Sequence, residues 1–558
     1  MTNDAIAENF SLLSKLMDIN RENSFKAKSY SIAAYTIEKL PTELSTLEQN
    51  KFFSIKGIGE SVGQKIIEQL QTGSLKTLEE YVTKTPLGVV EMLSIKGIGP
   101  KKISTIWHEM EIESVGELLY ACNENRLTLF KGFGEKTQQA IIEGIEFYLG
   151  TQGNYLFQQI ETYALKIDET LKATFPSTEF IITGAFRKHT EVIEKLVWVT
   201  TTSELSLKDF FVANNFEVVT HDTGYISFVG KENVTLGFYC CDEASLYNQL
   251  FATSCSEEFL EAFIEQTGWD ASNPYTSEEE IFEDCNCVFI PAYLRENPDV
   301  IQLSLNNSLP TLIEPTDIKG IIHSHSKWSD GQNTLEEMVQ GCINKGFEYL
   351  VISDHSKTAS YAQGLPVEKV LAQHQHIDEL NKKYPNFKIF KSIESDILGD
   401  GNLDYAVPIL QSFDVVIASI HSNLKMSEEK AMSRLLKAIE NPYTNILGHM
   451  TGRLLLSRNG YPINHKTIIE ACAANNVVIE LNAHPRRLDI DWRWINYALA
   501  KNVLISINPD AHSIDGFNDC RYGVLVAQKA GLTKEKNLSS FSLNEFEQFV
   551  QTQKQKRK

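Results

Sequence analysis

A chain of 558 residues with 42% apolar and 22% charged side chains is too long for one hydrophobic core and too ordinary in composition for a fibrous or disordered protein, so three or more globular domains are expected. No apolar run approaches a membrane span, and MTNDAIAENF lacks the basic start and apolar core of an export signal, which predicts a cytoplasmic monomer without membrane contact. The net charge of −21 argues against a nucleic-acid partner only while it is read as a total.

In chain order, the first 150 residues read as short amphipathic helices, with apolar positions at helical spacing in NFSLLSKLMDI and SYSIAAYTIEKL. A motif repeats between the helices. Ser54-Ile-Lys-Gly-Ile-Gly59 precedes VGQKIIEQL, the identical Ser94-Ile-Lys-Gly-Ile-Gly99 precedes PKKISTIWHEM, and a looser Phe130-Lys-Gly-Phe-Gly134 precedes EKTQQAIIEGI. Each sets two glycines (Gly57 and Gly59, Gly97 and Gly99, Gly132 and Gly134) at the mouth of a helix. Glycine there permits unusual backbone angles, and the free N–H groups of a helix start face an anion. Pro100, just inside the second helix, agrees with a helix start. Three copies point to sequence-independent contact with the DNA phosphate backbone rather than to simple turns. The pattern resembles the helix-hairpin-helix module.

Residues 151–318 hold 8 basic and 27 acidic residues, against 16 and 20 in 1–150 and 28 and 26 in 319–558. Nearly all the negative charge therefore belongs to the middle third. The nine cysteines, including Cys240-Cys241 and Cys285-x-Cys287, match no zinc or redox spacing, so no disulfide framework is expected.

With the hairpins in view, the order of elements resembles a family X DNA polymerase of the bacterial kind over nearly the whole chain. Asn20-Arg-Glu-Asn-Ser-Phe-Lys-Ala-Lys-Ser-Tyr30 and Gln71-Thr-Gly73 are similar to that family's lyase domain. Lys65 falls at its Schiff-base lysine, although a lysine on a helix is more often a solvated surface residue. The stretch from Gly184 to Trp198 (GAFRKHTEVIEKLVW) is similar to the palm signature, which ends in Asp-x-Asp. Lys195 and Val197 stand at those aspartates, and Thr235 stands at the third palm carboxylate. Nucleotide addition needs two divalent ions held by clustered carboxylates, which a lysine, a valine and a threonine cannot supply. A palm gripping a duplex should also be basic. The expectation is a polymerase core without polymerase activity, unless nearby acids such as Glu191 and Glu194 compensate. Residues 281–296 resemble the family's thumb end, and 297–318 read as a polar, proline-containing linker.

From Lys319 onward short β-branched runs (GIIHS, YLVISD, FKIFKSIE, VVIASIH, NILGH, VVIELN, VLISIN) alternate with helical stretches such as EKVLAQHQHIDELNKKY, EKAMSRLLKAIE and INYALAKN. Such alternation implies a parallel sheet, and seven units imply a closed barrel with its active site at the C-terminal strand ends. Metal-binding residue types gather at those ends: His323-x-His325, Asp330, His355, Glu394, His421, His449 and Asp510-x-His512. One histidine at a strand end is usually a satisfied polar residue; six joined by three carboxylates are metal ligands. Imidazole and carboxylate without thiolate suit Zn²⁺, Mn²⁺ or Fe²⁺. The QTQKQKRK end reads as a disordered basic tail.

The ligand set and its order resemble the PHP (polymerase and histidinol phosphatase) domain, which binds three metals. The resemblance implies one ion on His323, His325, Glu394 and Asp510, a second on Asp330, His355 and His512, and a third on Glu394, His421 and His449. Arg453, Arg487 and Lys357 match basic positions of the family and are candidate phosphate contacts. Glu394, His355, Asp510, Arg453 and Arg487 form the expected catalytic set.

The chain is thus read as multidomain, beginning with an all-α helix-hairpin-helix region (lyase-like 1–85, fingers-like 86–150). An α+β nucleotidyltransferase-like palm and thumb (151–296), the linker 297–318 and a TIM-like (β/α)7 PHP barrel (319–558) follow. The expected function is metal-dependent DNA phosphoester hydrolysis, as a 3′-5′ exonuclease or 3′-end-processing enzyme of repair. Its rivals are an active family X polymerase with an exonuclease and a small-molecule phosphatase of the histidinol phosphatase type.

Overall fold

The computed structural model describes residues 1–123, 126–151, 153–231, 233–456 and 459–557. The chain divides into two compact units, Met1–Gln152 and Gly153–Lys558. Among the described residues no helix is long and apolar enough to cross a membrane, and all nine cysteines are unbridged.

The first unit is helical. The helix Asn3–Ile19, capped by the Thr2 hydroxyl, buries Ile6, Phe10, Leu13 and Met17 at the spacing of one helix face. A single hydrophobic core runs from Ile6 to Ile145, so it crosses the boundary expected at 85/86. In each hairpin the first glycine is left-handed, with φ of +95° at Gly57, +90° at Gly97 and +94° at Gly132. Gly59 and Gly99 are the N-caps of the helices Glu60–Thr72 and Pro100–Met110, and Gly134 directly precedes Glu135–Thr151.

The second unit opens with the palm, a sheet of β1 (Phe180–Thr183), β2 (Lys195–Thr200), β3 (Glu217–Asp222), β4 (Tyr225–Val229) and β5 (Thr235–Cys240). Their spatial order is β1-β2-β5-β4-β3, with only β2 and β5 parallel. Alternation places Leu196, Trp198 and Phe238 in the core with the helix Phe157–Thr174, leaving Lys195 and Val197 on the opposite face. The thumb gathers around Arg295, fully buried, which donates to Glu278 at 2.7 Å and lies against Phe251, Phe282 and Phe289. The expected linker is partly helical instead. Asp299–Leu305 forms a helix whose Ile301 is buried in the thumb core, because that apolar side chain has a core to enter.

The barrel comprises β6 (Gly320–Ile321), β7 (Tyr349–Ile352), β8 (Lys388–Asp396), β9 (Val415–Ser419), β10 (Ile446–Leu447), β11 (Val478–Asn482) and β12 (Ile505–Asn508). All are parallel and paired in sequence order. The first and last strands meet just beyond their ends, where His325 N–H donates to the Ala511 carbonyl at 2.8 Å. The barrel is therefore closed at the functional rim. Tyr349, Phe390 and Val415 on its inner face share a cluster with Phe546 and Val550 of the C-terminal helix Leu543–Gln555. This corrects the expectation of a disordered tail. The tail continues a helix anchored by Phe546 and Val550 just before it, and Lys556 and Arg557 donate to the carbonyls of Asn475 (3.0 Å) and Phe413 (2.8 Å).

Candidate metal centre

Six of the seven barrel strands deliver donors at the same rim. His323 and His325 follow β6, His355 follows β7, Glu394 lies near the end of β8, His421 follows β9, His449 follows β10, and Asp510 and His512 follow β12. Asp330 comes from the loop after His325. That loop is anchored by buried Asp354, which accepts from the Ser326 N–H (2.8 Å) and from the Ser329 hydroxyl (2.6 Å). His323 and Asp510 have left-handed backbones (φ +63° and +51°), a strained conformation of the kind that concentrates at functional sites.

The nine side chains form one web. Glu394 is its centre, with His323 Nε2 at 3.2 Å, His325 Nε2 at 3.7 Å, His355 Nδ1 at 2.9 Å, His421 Nε2 at 3.0 Å and His449 Nε2 at 2.9 Å. Asp510 Oδ1 lies 3.1 Å from His325 Nε2, and Asp330 Oδ2 lies 3.6 Å from His355 Nε2 and 3.4 Å from His512 Nε2. Three groupings bring donor atoms close enough for one ion each: His325 with Asp330, His355 and His512; His323 with His325 and Asp510; His355 with Glu394 and His421. They overlap the expected ligand sets but share His325 and His355 between neighbours. Most of the web is sealed from solvent, whereas the side chains of Asp330 and His512 are 30% and 38% exposed. The mouth of the site is on that side.

The electrostatics are those of a cation site. Burial alone would lower the basicity of His323, yet Glu480, Asp510 and Glu394 outweigh it and hold this histidine well above its ordinary range. By the same balance, carboxylates push His421 up to about 10 and His512 up to about 9. Burial, with His512 and His355 nearby, lowers His325 to about 3. Glu394 and Asp510, despite burial, are held well below the carboxylate range by their histidines. His449 Nδ1 is buried without a hydrogen-bond partner, and the close approaches of His323 Nε2 and Glu394 Oε2 lack hydrogen-bond geometry. Buried polar atoms are seldom left so, and donors of this hardness fit divalent ions.

Two carboxylates absent from the sequence expectation orient the ligands. His323 Nδ1 donates to Glu480 and His421 Nδ1 to Asp396, both at 2.6 Å, so each ring turns Nε2 toward the cluster. Their sequence signal is a charged residue inside a buried strand, as in VVIELN.

The candidate basic residues separate. Arg487 Nε lies 3.6 Å from Asp510 Oδ2, at the centre. Arg453 is committed elsewhere: its guanidinium donates to the carbonyls of Arg487 (2.9 Å) and Leu488 and to Asp491 (2.7 Å). Three of its five N–H groups are thereby engaged within the barrel. Lys357 is exposed, its ammonium 5.6 Å from the Tyr405 ring.

On the palm, Lys195 and Thr235 are Cα partners across β2 and β5, and Val197 pairs with Gly237. Lys195 and Val197 border a cleft of about 600 Å³ that is also lined by Glu191 and Glu194. Glu191 faces Arg453 at 3.9 Å and Glu194 is exposed. Among the described residues every grouping of three or more metal-ligating side chains falls in the barrel.

In the hairpins, a Cβ added at Gly59, Gly97, Gly99, Gly132 or Gly134 would meet nothing within 4 Å, whereas at Gly57 it would lie 2.8 Å from Thr36 Oγ1. Five of the six glycines thus open onto free space. Lys65 Nζ donates to Thr77 Oγ1.

A seven-stranded parallel barrel with nitrogen and oxygen donors converging at its C-terminal rim defines a metal-dependent hydrolase of the PHP class. Residues 322–484 match the PHP domain model, residues 1–75 the helix-hairpin-helix domain, and residues 89–146 the SAM-like helix-hairpin-helix tandem. The DNA polymerase/3′-5′ exonuclease PolX of Bacillus subtilis (strain 168) is 32% identical over 559 residues, covering 96% of each chain. The chain belongs to the bacterial family X DNA polymerases that carry a C-terminal PHP domain. A probable phosphatase of Thermoanaerobacter sp. (strain X514) is 25% identical over 245 residues, 42% of this chain and 95% of that protein. Another, from Caldanaerobacter subterraneus, is 28% identical over 154 residues, 27% of this chain and 56% of that one.

Proposed function

We propose that the chain is a metal-dependent DNA phosphoesterase acting at 3′ ends, with DNA held by the hairpins and a palm that no longer adds nucleotides. The observation that carries it is the meeting of five histidines on Glu394 inside a chain with three hairpins. The 3′-5′ polarity rests on the activity named for the Bacillus relative. Inactivity of the palm is supported by Lys195 and Thr235 paired across β2 and β5, by Val197 two residues along, and by the absence of a ligand grouping there among the described residues.

His323, His325, Glu394 and Asp510 would hold one ion, Asp330, His355 and His512 a second, and Glu394, His421 and His449 a third. Zn²⁺, Mn²⁺ or Fe²⁺ bound there would lower the pKa of water and neutralise phosphate and leaving oxygen. The chain's own part is to prepare that site. Glu480 and Asp396 hold the Nδ1 protons of His323 and His421. Arg487, beside Asp510, is the cation best placed for a phosphate oxygen. The exposed Asp330 and His512 mark the side on which a strand enters.

Two other readings retain support. The Bacillus relative's name includes DNA polymerase, and the phosphatase matches cover the barrel. One assay separates the three: labelled gapped, recessed and single-stranded DNA, with and without Mn²⁺ and nucleotides. Shortened products are expected. Extended products would establish a polymerase, and hydrolysis of small monoesters with intact DNA would establish a phosphatase.

A further inference from the structure

The acidic middle third is docked on the barrel. Glu161 accepts from the Arg521 guanidinium at 2.8 Å. Glu296 meets Lys529 at 3.3 Å, and that buried ammonium also donates to the Lys188 carbonyl at 2.7 Å. Tyr522 and Leu525, on the same barrel helix (Cys520–Lys529), pack against the palm core. Two acids of the middle third are thus paired with barrel bases.

Glu191 of the palm faces Arg453 of the barrel at 3.9 Å. Arg453 in turn grips the segment 487–491 at three points: the carbonyls of Arg487 and Leu488 and the carboxylate of Asp491. Pro485 and Leu488 of the same loop share a small cavity with Phe157 and His189 of the palm. The loop thus lies between palm and barrel, and from it Arg487 reaches to 3.6 Å from Asp510. A guanidinium this buried, with its side chain 16% exposed, depends on fixed counter-charges to keep its geometry. Without Glu191, Arg453 would retain Asp491 alone and could swing with it, releasing both carbonyls.

We propose that Glu191 is a positioning residue for the barrel's hydrolysis: through Arg453 it fixes the loop 485–491 so that Arg487 faces the metal centre. The palm thereby becomes a working part of the phosphoesterase. This rests on the reading above in which Arg487 meets the phosphate.

The test uses the full chain with Glu191→Gln and Glu191→Asp, each alone and combined with Arg487→Ala. Amide hydrogen exchange across 485–491 should quicken in Glu191→Gln and return toward the parent in Glu191→Asp, with the palm strand 195–200 unchanged. For bis(p-nitrophenyl) phosphate with Mn²⁺, Glu191→Gln should lower kcat/KM about five-fold, and add nothing in the Arg487→Ala background. Unchanged exchange, or a kinetic loss that multiplies with that of Arg487→Ala, would overturn the proposal. A parent that does not hydrolyse the ester would sink the hydrolase reading, and the exchange measurement would then decide this one alone.

Discussion

Lys195 and Thr235 stand opposite one another on adjacent parallel strands of the palm, with Val197 two residues along the same face. Two neighbouring positions and a third distant in sequence are thus gathered on one surface, as three ligands of a metal pair would have to be. What they present is an ammonium, a methyl-bearing side chain and a hydroxyl. On the reading proposed above, such a surface would repel or ignore a divalent cation.

Primer extension should therefore give no templated product, even at high enzyme concentration and with His355→Ala suppressing degradation. Glu191 is engaged with Arg453 and Glu194 is exposed beside the cleft, so neither completes a trio. A ladder of products longer than the primer would show that other acids serve.

Metal content should exceed one ion per chain in protein purified without chelator, and Glu394→Ala should lose the most, because Glu394 touches five histidines. Glu480→Gln and Asp396→Asn should each weaken metal affinity about 10- to 100-fold by releasing the ring of His323 or His421. Elemental analysis and competition with a chromogenic chelator measure both. Unaltered affinity in these two variants would mean the ligand rings are held by packing alone.

Metal binding should tighten with pH and release protons. His421 and His512, at about 10 and about 9, carry protons at neutral pH in the metal-free chain and must lose them to ligate. The raised values also stabilise the metal-free fold, fully below about 6.5 and progressively less as pH climbs through 9 and 10. The gap in Tm between metal-loaded and chelated protein should widen from pH 6.5 to 9. A constant gap, or calorimetry without proton release, contradicts this.

Hairpin and barrel should be separable. Gly59→Val and Gly99→Val add side chains into open space at negative φ, so folding should survive while phosphate approach is blocked. Cleavage of DNA should weaken through KM, and small-ester hydrolysis should hold. Gly57→Val is a poorer probe, since φ is +95° and Thr36 stands 2.8 Å away. DNA cleavage should also fall steeply with salt, by counterion release. Equal cleavage by parent and variants would reduce the hairpins to turns.

What the sequence determined by itself was periodic or local. Strand-helix alternation gave seven barrel strands, and six histidines with three carboxylates at strand ends marked the site, because such spacing is set within a few residues. The repeated Gly-x-Gly marked the hairpins for the same reason. Tertiary structure decided what depends on partners distant in the chain. Glu480 reads as one acid in an apolar strand until folding brings it to His323, 157 residues away. Arg453 reads only as a basic residue until folding sets Arg487, Leu488 and Asp491 against its guanidinium. The start of the polar, basic tail is helical because it extends a helix whose preceding Phe546 and Val550 are buried against the barrel floor. The charge of the middle third likewise acquires its meaning only when Arg521, Lys529 and Arg453 are set against it. A charge count carries no direction, and only the fold decides which surface each charge faces.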